Sequence, residues 1–305
     1  MLENLDTPPK GNDSFIWTDF VELRAILHPD KCFSRGDLIG IEKRLRDMDK
    51  QGFNSEERWR EIVNFAGNRQ VEFKQFYPFN TSLDQDTINF DFDGGLPHIA
   101  YVGLLIASCM RNIARKRQAE IARAFEETCF EIFSSLMPAG SEVRATWANG
   151  GQTAPYTGSL FQKMQAIAKD LRCIENFKER DFKERDAGDG GIDLIAWHPM
   201  ADDREGMPMA FAQCGCSRDD WRFKQLEASY AKHGRKLPVM HPWATYYFLP
   251  VDLRFPDGDW AYKDDIGQAI IVDRLRLLRL VEQNDLFQTL PELPYVKEAL
   301  EFQYA

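Results

Sequence analysis

The chain has no long apolar run. None of its segments approaches the roughly 18–20 uninterrupted apolar residues that a membrane-spanning helix needs. The first thirteen residues contain neither a basic stretch nor an apolar stretch, so no secretory signal is indicated. The sequence therefore predicts a protein without a membrane partner.

The chain also lacks the cysteine and histidine patterns of zinc sites and of nucleophilic catalysis. Cys214 and Cys216 have a C-x-C spacing, but no second pair accompanies them. The five histidines lie in unrelated contexts, so no Ser-His-Asp or Cys-His set is indicated. We expect all six cysteines to be reduced thiols, as is usual in the cytoplasm, where we place the protein.

Positive charge is in short supply, because 38 basic residues face 48 acidic ones, for a net charge of −10. This balance argues against a protein that coats nucleic acid regardless of sequence, since such binding depends on neutralising phosphates. It does not exclude a nuclease, whose metal-binding carboxylates add negative charge. Arginine-rich runs at 111–117 and 274–279 are either a DNA-binding face or solvated helix surface.

The 305 residues, 44% of them hydrophobic, suffice for one large domain or two modest ones. Residues 1–13 are polar and predict a disordered tail. Apolar residues at helical spacing then predict a helical N-terminal domain over 14–116. The remaining residues, 117–305, predict a second domain that ends in two helices.

The second domain mixes helices and strands. The pattern predicts helices near 119–136, 160–171, 219–233, 265–282 and 291–302, with strands near 143–147, 192–197, 209–214 and 245–251. This order indicates an α/β fold with a small mixed sheet flanked by helices.

The most informative stretch runs from Arg185 to Trp197 and reads RDAGDGGIDLIAW. Its glycines permit a tight turn, and the strand that follows at once carries Asp193 near its beginning. The next strand ends in Gln213 and Cys214. Two adjacent strands joined by a hairpin bring Asp193 and Gln213 within reach of one ion, if the register allows.

The motif Gly-Asp-Gly-Gly-Ile-Asp, a short hairpin and a strand ending in Gln-Cys together resemble the core of the PD-(D/E)xK, or restriction-endonuclease-like, nucleases of the Mrr type. The resemblance covers roughly residues 118–250. It implies a restriction-endonuclease-like mixed sheet, with Asp193 as a metal ligand and the Gln213 side-chain carbonyl, or a neighbouring backbone carbonyl, as another. A glutamate from the preceding helix commonly completes that set, and Glu126 matches it, with Glu127 as the adjacent alternative. Asp189 either stiffens the turn or is an outer-shell ligand.

The sequence departs from the family where a lysine should stand, two residues after Gln213, because Gly215 occupies that position. Either the lysine is lost or another has replaced it. Lys224 is the candidate, since six residues of helix starting near 218 would retrace about 9 Å along the strand. Trp221 and Lys224 also fit the form of relatives in which Trp, then Lys three residues later, follow Gln-Cys.

The resemblance implies an endonuclease that needs Mg²⁺ (or Mn²⁺) and hydrolyses DNA, used in defence against foreign DNA. Its catalytic residues would be Glu126, Asp193, Gln213 and Lys224, the first three of them holding the metal. Two alternatives stay open. One is a catalytically inactive domain that binds nucleic acid or a protein. The other is an effector subunit that is silent until a partner protein of a defence complex delivers its substrate. A homo-oligomer is compatible with each.

Overall fold

The structure is a computed structural model. It describes residues 2–302 except 4, 6, 10, 48–53, 83, 148–154, 184–187 and 218, so Arg185 lies outside the described residues. The helices are α1 (Ser14–Leu27), α2 (Arg35–Asp47), α3 (Ser55–Phe73), α4 (Leu96–Ser108), α5 (Arg115–Leu136), α6 (Leu160–Asp170), α7 (Trp221–Lys224), α8 (Tyr230–His233), α9 (Arg274–Gln283) and α10 (Pro294–Glu301). The strands are β1 (Cys32–Ser34), β2 (Phe79–Thr81), β3 (Thr87–Phe90), β4 (Glu142–Ala145), β5 (Leu194–Trp197), β6 (Met209–Cys214), β7 (Ala244–Phe248) and β8 (Ala269–Val272). This content confirms the α/β class.

Contacts divide the chain into two units. The first, here called the helical unit, comprises residues 1–125, 250–261 and 273–305. The second, the sheet unit, comprises 126–249 and 262–272. The sequence pattern predicted one boundary at 116/117, with both C-terminal helices in the second domain. In the structure, α9 and α10 instead belong to the helical unit.

The helical unit is built from amphipathic and fully buried helices around a small antiparallel sheet of order β1-β3-β2. Its helix starts follow local chemistry. Asn54 caps α3 by accepting hydrogen bonds from the next turn, and Ser34 and Asp37 cap α2 reciprocally. At the N-terminus, where a disordered tail was predicted, Leu5 is buried and its carbonyl accepts a hydrogen bond from Arg24.

Helix α4 is apolar and is buried from Ala100 to Ser108, but it has only 13 residues. Pro97 opens it, as expected at the start of a helix. No helix in the described part of the chain combines the length and the apolar character needed to cross a bilayer.

A buried ion cluster holds the helical unit together. Arg69 pairs with Asp19 at 2.8 Å, with Glu22 at 2.9 Å and with Asp252 at 2.9 Å. Arg274 contributes a second guanidinium, which pairs with Asp19 at 2.8 Å. Arg274 is fully buried, so the prediction that the run 274–279 forms a DNA-binding face or solvated surface is wrong at this residue.

The sheet unit contains a five-stranded sheet of order β4-β5-β6-β7-β8. Strands β4, β5 and β6 are antiparallel, whereas β6, β7 and β8 run parallel. Helix α6 packs on one face, where Met164 and Ile167 join a core with Phe211 and Trp243. Helix α5 packs on the other face, where the ring of Phe133 lies 6.1 Å from that of Phe248.

Two predicted helices of this region differ in the structure. The helix near 219–233 is instead the short α7 and α8, because Ser229 starts a new helix by accepting a hydrogen bond from the Lys232 N–H. The helix near 265–282 is shorter, since Ala-Ile-Ile-Val at 269–272 forms β8, in keeping with the strand preference of β-branched residues. Asp273 then caps α9.

Candidate metal centre

Asp193 lies directly before β5 and is held from both neighbouring strands. Its main-chain N–H donates to the Ala212 carbonyl at 2.9 Å, and its carbonyl accepts from the Thr146 N–H at 2.8 Å. The side chain is 3% exposed, and its Oδ2 accepts a hydrogen bond from the Cys214 N–H at 2.6 Å. The carboxylate is therefore fixed at the carboxyl end of β6, as the hairpin predicted.

The glycine-rich turn that leads into Asp193 has left-handed backbone conformations. Gly190 and Gly191 have φ values of 67° and 85°, which favour glycine over residues with a Cβ. Asp189 accepts a hydrogen bond from the Gly191 N–H at 2.8 Å through its own side chain. This hydrogen bond within the turn corresponds to the first of the two roles expected of Asp189, which is to stiffen the turn.

Gln213 is the penultimate residue of β6 and lies next to Tyr247 in the parallel register. Its side chain is 7% exposed, and its amide nitrogen makes one long hydrogen bond, 3.4 Å, to the Cys214 carbonyl. Its Oε1 is buried and has no hydrogen-bond partner among the described residues. Leaving such an acceptor unsatisfied costs about 1–3 kcal/mol, which a bound donor or cation would recover.

Glu126 lies on α5 one helical turn before Cys129. Burial raises the pKa of the Cys214 thiol and the neighbouring Cys129 raises it further, which places this part of α5 beside the end of β6. The Glu126 carboxylate raises the pKa of Asp193 through its charge. The structure thus brings Glu126 into the electrostatic neighbourhood of Asp193, on the α5 side of the sheet.

The pKa of Asp193 is well above its usual value. Burial is the largest cause, because it disfavours the charged carboxylate. The Cys214 N–H lowers the pKa, whereas the charges of Asp189 and Glu126 raise it further, and Lys224 lowers it. Ionised Asp193 is therefore unfavourable here without an added positive charge, and a bound cation would supply that charge.

Tyr247 explains why no lysine follows Gln213 on the strand. A Cβ at position 215 would overlap the Tyr247 hydroxyl and lie 3.0 Å from its Cζ. That hydroxyl is buried and has no hydrogen-bond partner in the described part of the chain. Glycine at 215 and tyrosine at 247 are thus sterically coupled, and position 215 has no room for a longer side chain.

Lys224 is the last residue of α7, and its charge lowers the pKa of Asp193. The predicted route to this position, six residues of helix starting near 218, is wrong, since α7 has only four residues. Lys224 nevertheless lies close enough for its charge to act on the Asp193 carboxylate. The structure assigns no hydrogen bond between the two side chains.

Lys163 is a buried cation that the sequence analysis missed. Its ammonium group donates to the carbonyls of Thr146 and Trp147, both at 3.2 Å, and burial lowers its pKa. Thr146 is also the residue that holds the Asp193 carbonyl. The signal was present, because Lys163 falls among the apolar positions of α6 at helical spacing.

A hydrogen bond joins the Asp193 carboxylate to the end of β6, the strand that also carries Gln213. Glu126 and Lys224 act on the pKa of Asp193 through their charges. Among the described residues, no three His, Cys, Asp or Glu side chains form a metal-binding group. No protein-family model, curated protein or solved structure matches the chain.

Replacing Gly215 with alanine should lower the free energy of unfolding by about 1–3 kcal/mol, because the new methyl overlaps Tyr247. Adding Tyr247→Phe should recover part of this loss, since it removes the overlapping hydroxyl. Urea denaturation of the two single variants and the double variant measures the coupling. Strictly additive effects would contradict the steric account.

Proposed function

We propose that this protein is a Mg²⁺-dependent endonuclease that hydrolyses DNA phosphodiester bonds, with a restriction-endonuclease-like sheet unit. The element order supports this fold: α5 and β4 precede an antiparallel pair, β5 and β6, and β7 then returns parallel to β6. The observation that carries the proposal is the buried, unpartnered Gln213 Oε1, on the same strand whose Ala212 carbonyl and Cys214 N–H bind the main chain and the carboxylate of Asp193.

These two side chains fit a hard divalent cation. Mg²⁺ prefers oxygen ligands and retains several waters, so a small number of protein ligands suffices. Asp193 and Gln213 would hold the ion, with Glu126 reaching it from α5. A cation here would also offset the two causes that raise the pKa of Asp193, namely burial and the neighbouring carboxylates.

The bound metal would polarise a phosphoryl oxygen and make a coordinated water more acidic. The chain supplies the rest of the chemistry. Lys224 would orient the attacking water or stabilise the negative charge that develops on the phosphate. The hydrogen bond from the Cys214 N–H fixes the Asp193 carboxylate before substrate arrives, so little rearrangement is needed.

A second candidate function is a catalytically inactive domain that binds nucleic acid or a protein. Gly215 at the lysine position and the hydrogen bond from Cys214 to Asp193 favour it, since a lysine is missing and one carboxylate oxygen is occupied. Against it stand the left-handed glycine turn and the unpartnered Gln213 Oε1, which an inactive domain has no physical need to keep.

Incubation of supercoiled and linear DNA with the full chain in Mg²⁺, Mn²⁺ or EDTA separates the two candidates. The nuclease proposal expects nicked or linear product in Mg²⁺ or Mn²⁺ and none in EDTA. DNA that is bound but uncut in every metal would favour the inactive domain. An inert protein that cuts only after a second protein is added would indicate an effector subunit.

Replacing Lys224 with alanine should slow cleavage about 100- to 1000-fold, the usual loss when one preorganised donor to a transition state is removed. The free energy of unfolding should change little, because Lys224 is half-buried at the end of a short helix. Lys263→Ala is the matched control, an exposed lysine of the same unit. Cleavage at the wild-type rate by the Lys224 variant would refute the displaced-lysine role.

A further inference from the structure

The sheet unit contains a cavity of about 280 Å³ beside the glycine turn that precedes Asp193. This volume is near the lower end of pockets that hold small ligands. Its lining includes the apolar residues Leu160, Met164 and Phe182 and the charged residues Glu227, Lys232 and Lys236.

The two glycines of the turn pack closely against the side chains that line this cavity. A Cβ at Gly190 would lie 3.2 Å from the Leu160 side chain. A Cβ at Gly191 would lie 2.8 Å from Glu227 and 3.0 Å from the Lys232 ammonium group. The motif that marks the metal centre in the sequence therefore also shapes the neighbouring cavity.

The lining combines an aromatic ring with two ammonium groups. Phe182 is fixed by Phe161 and Phe177, whose ring centroids lie 5.9 Å and 5.5 Å away. The Lys236 ammonium lies 4.4 Å from the Phe182 ring centroid, and Lys232 donates to the Gly190 carbonyl at 3.1 Å. This combination suits a ligand with a flat aromatic part and an anionic part.

We propose that the cavity receives one unstacked nucleotide of the DNA strand to be cut. The base would lie against Phe182 and Met164, with its phosphate on Lys232 and Lys236. Glu227 would accept a hydrogen bond from an N–H group of the base. The inference rests on the proposed nuclease function and adds a subsite to it. The cavity lies near the candidate metal centre, because two residues of chain, at most about 7 Å, separate Gly191 from Asp193.

Photocrosslinking tests this subsite without relying on catalysis. The full chain in EDTA is irradiated with a short single-stranded oligonucleotide that carries 5-iododeoxyuridine, and the crosslinked peptide is identified by mass spectrometry. The expected product joins the base to Phe182 or Met164. Lys232→Gln with Lys236→Gln should weaken oligonucleotide binding about tenfold or more, measured by fluorescence anisotropy. Lys169→Gln is the control, an exposed lysine of α6 outside the cavity.

Crosslinks that map elsewhere, with wild-type affinity in the double lysine variant, would overturn the subsite. Free 5-iododeoxyuridine monophosphate is tested in parallel. If it crosslinks to Phe182 and the oligonucleotide does not, the cavity serves free nucleotides and the strand subsite is wrong. Cleavage in Mg²⁺ is measured separately. Crosslinks at Phe182 without cleavage would support the subsite and contradict the nuclease proposal. Cleavage without such crosslinks would support the nuclease proposal and contradict the subsite.

Discussion

Replacing Asp193 with asparagine should lower the rate of Mg²⁺-dependent DNA cleavage by about 1000-fold or more, because the variant loses the central metal-binding charge. The substitution preserves the shape of the side chain and its ability to accept the hydrogen bond from Cys214. The loss would therefore reflect missing charge rather than a disturbed fold. Plasmid cleavage under single-turnover conditions provides the rate.

The same variant should be more stable than the wild type when no metal is present. The pKa of Asp193 is raised in the folded protein, chiefly by burial, so the unfolded chain loses this proton first as the pH rises. The stabilising contribution of protonated Asp193 to the folded wild type is then fully present at acid pH. It falls as the pH rises above the usual aspartate pKa of 3.8. The asparagine side chain does not titrate, so the advantage of the variant in EDTA should appear at neutral pH and vanish near pH 3.

Mg²⁺ should reverse this order of stability. It should raise the melting temperature of the wild type, in which it binds the folded state, and leave the Asp193 variant nearly unchanged. Asp203→Asn is the matched control, because Asp203 is exposed in the turn between β5 and β6. Equal Mg²⁺ stabilisation of the wild type and the Asp193→Asn variant would contradict a metal site at Asp193.

Replacing Arg274 with methionine should lower the free energy of unfolding by about 3–5 kcal/mol, because it removes one of the two guanidinium groups that compensate the buried carboxylate of Asp19. The Arg274 guanidinium donates to both oxygens of Asp19, at 2.9 Å and 2.8 Å, to Ser108 at 2.9 Å and to the Pro250 carbonyl at 2.8 Å. Burial raises the pKa of Asp19, but Arg274 and Arg69 outweigh it and hold that pKa below its usual value.

The paired control is Arg279→Met on the same helix, α9. Arg279 binds Glu72 at 2.8 Å, but its side chain is 50% exposed, so its loss should cost no more than about 1 kcal/mol. Urea denaturation of both variants gives the comparison. Similar small losses in the two variants would show that the buried ion cluster does not hold the helical unit together.

The local pattern of the sequence predicted most elements, and tertiary contacts decided those that it missed. Strand β6 matches the predicted 209–214, because its bulky apolar run is bounded by turn residues. Helix α7 ends at Lys224, and the side chain of Gln225 then binds a distant part of the chain, donating to the Asp265 carbonyl and accepting from the Gly267 N–H. The apolar periodicity of residues 219–233 could not predict that contact, because about forty residues of sequence separate its two partners.

The candidate site was predictable where the chain itself creates the geometry. The glycine turn and the hairpin placed Asp193 and Gln213 at adjoining strand ends. The steric coupling of Gly215 and Tyr247 was not predictable, because it depends on the parallel register of β6 and β7. The burial of Arg274 could not be predicted for a similar reason, since its partner Asp19 lies 255 positions away in the sequence.

Crystals grown or soaked with Mn²⁺ and examined by anomalous diffraction test the central claim most directly. The proposal predicts one ion bound by a carboxylate oxygen of Asp193 and by Gln213 Oε1, at roughly the 2.0–2.2 Å expected of such ions. Glu126 and Lys224 should approach the same ion and its waters. An empty position, with Gln213 turned away and Asp193 still bonded only to Cys214 at saturating Mn²⁺, would contradict it.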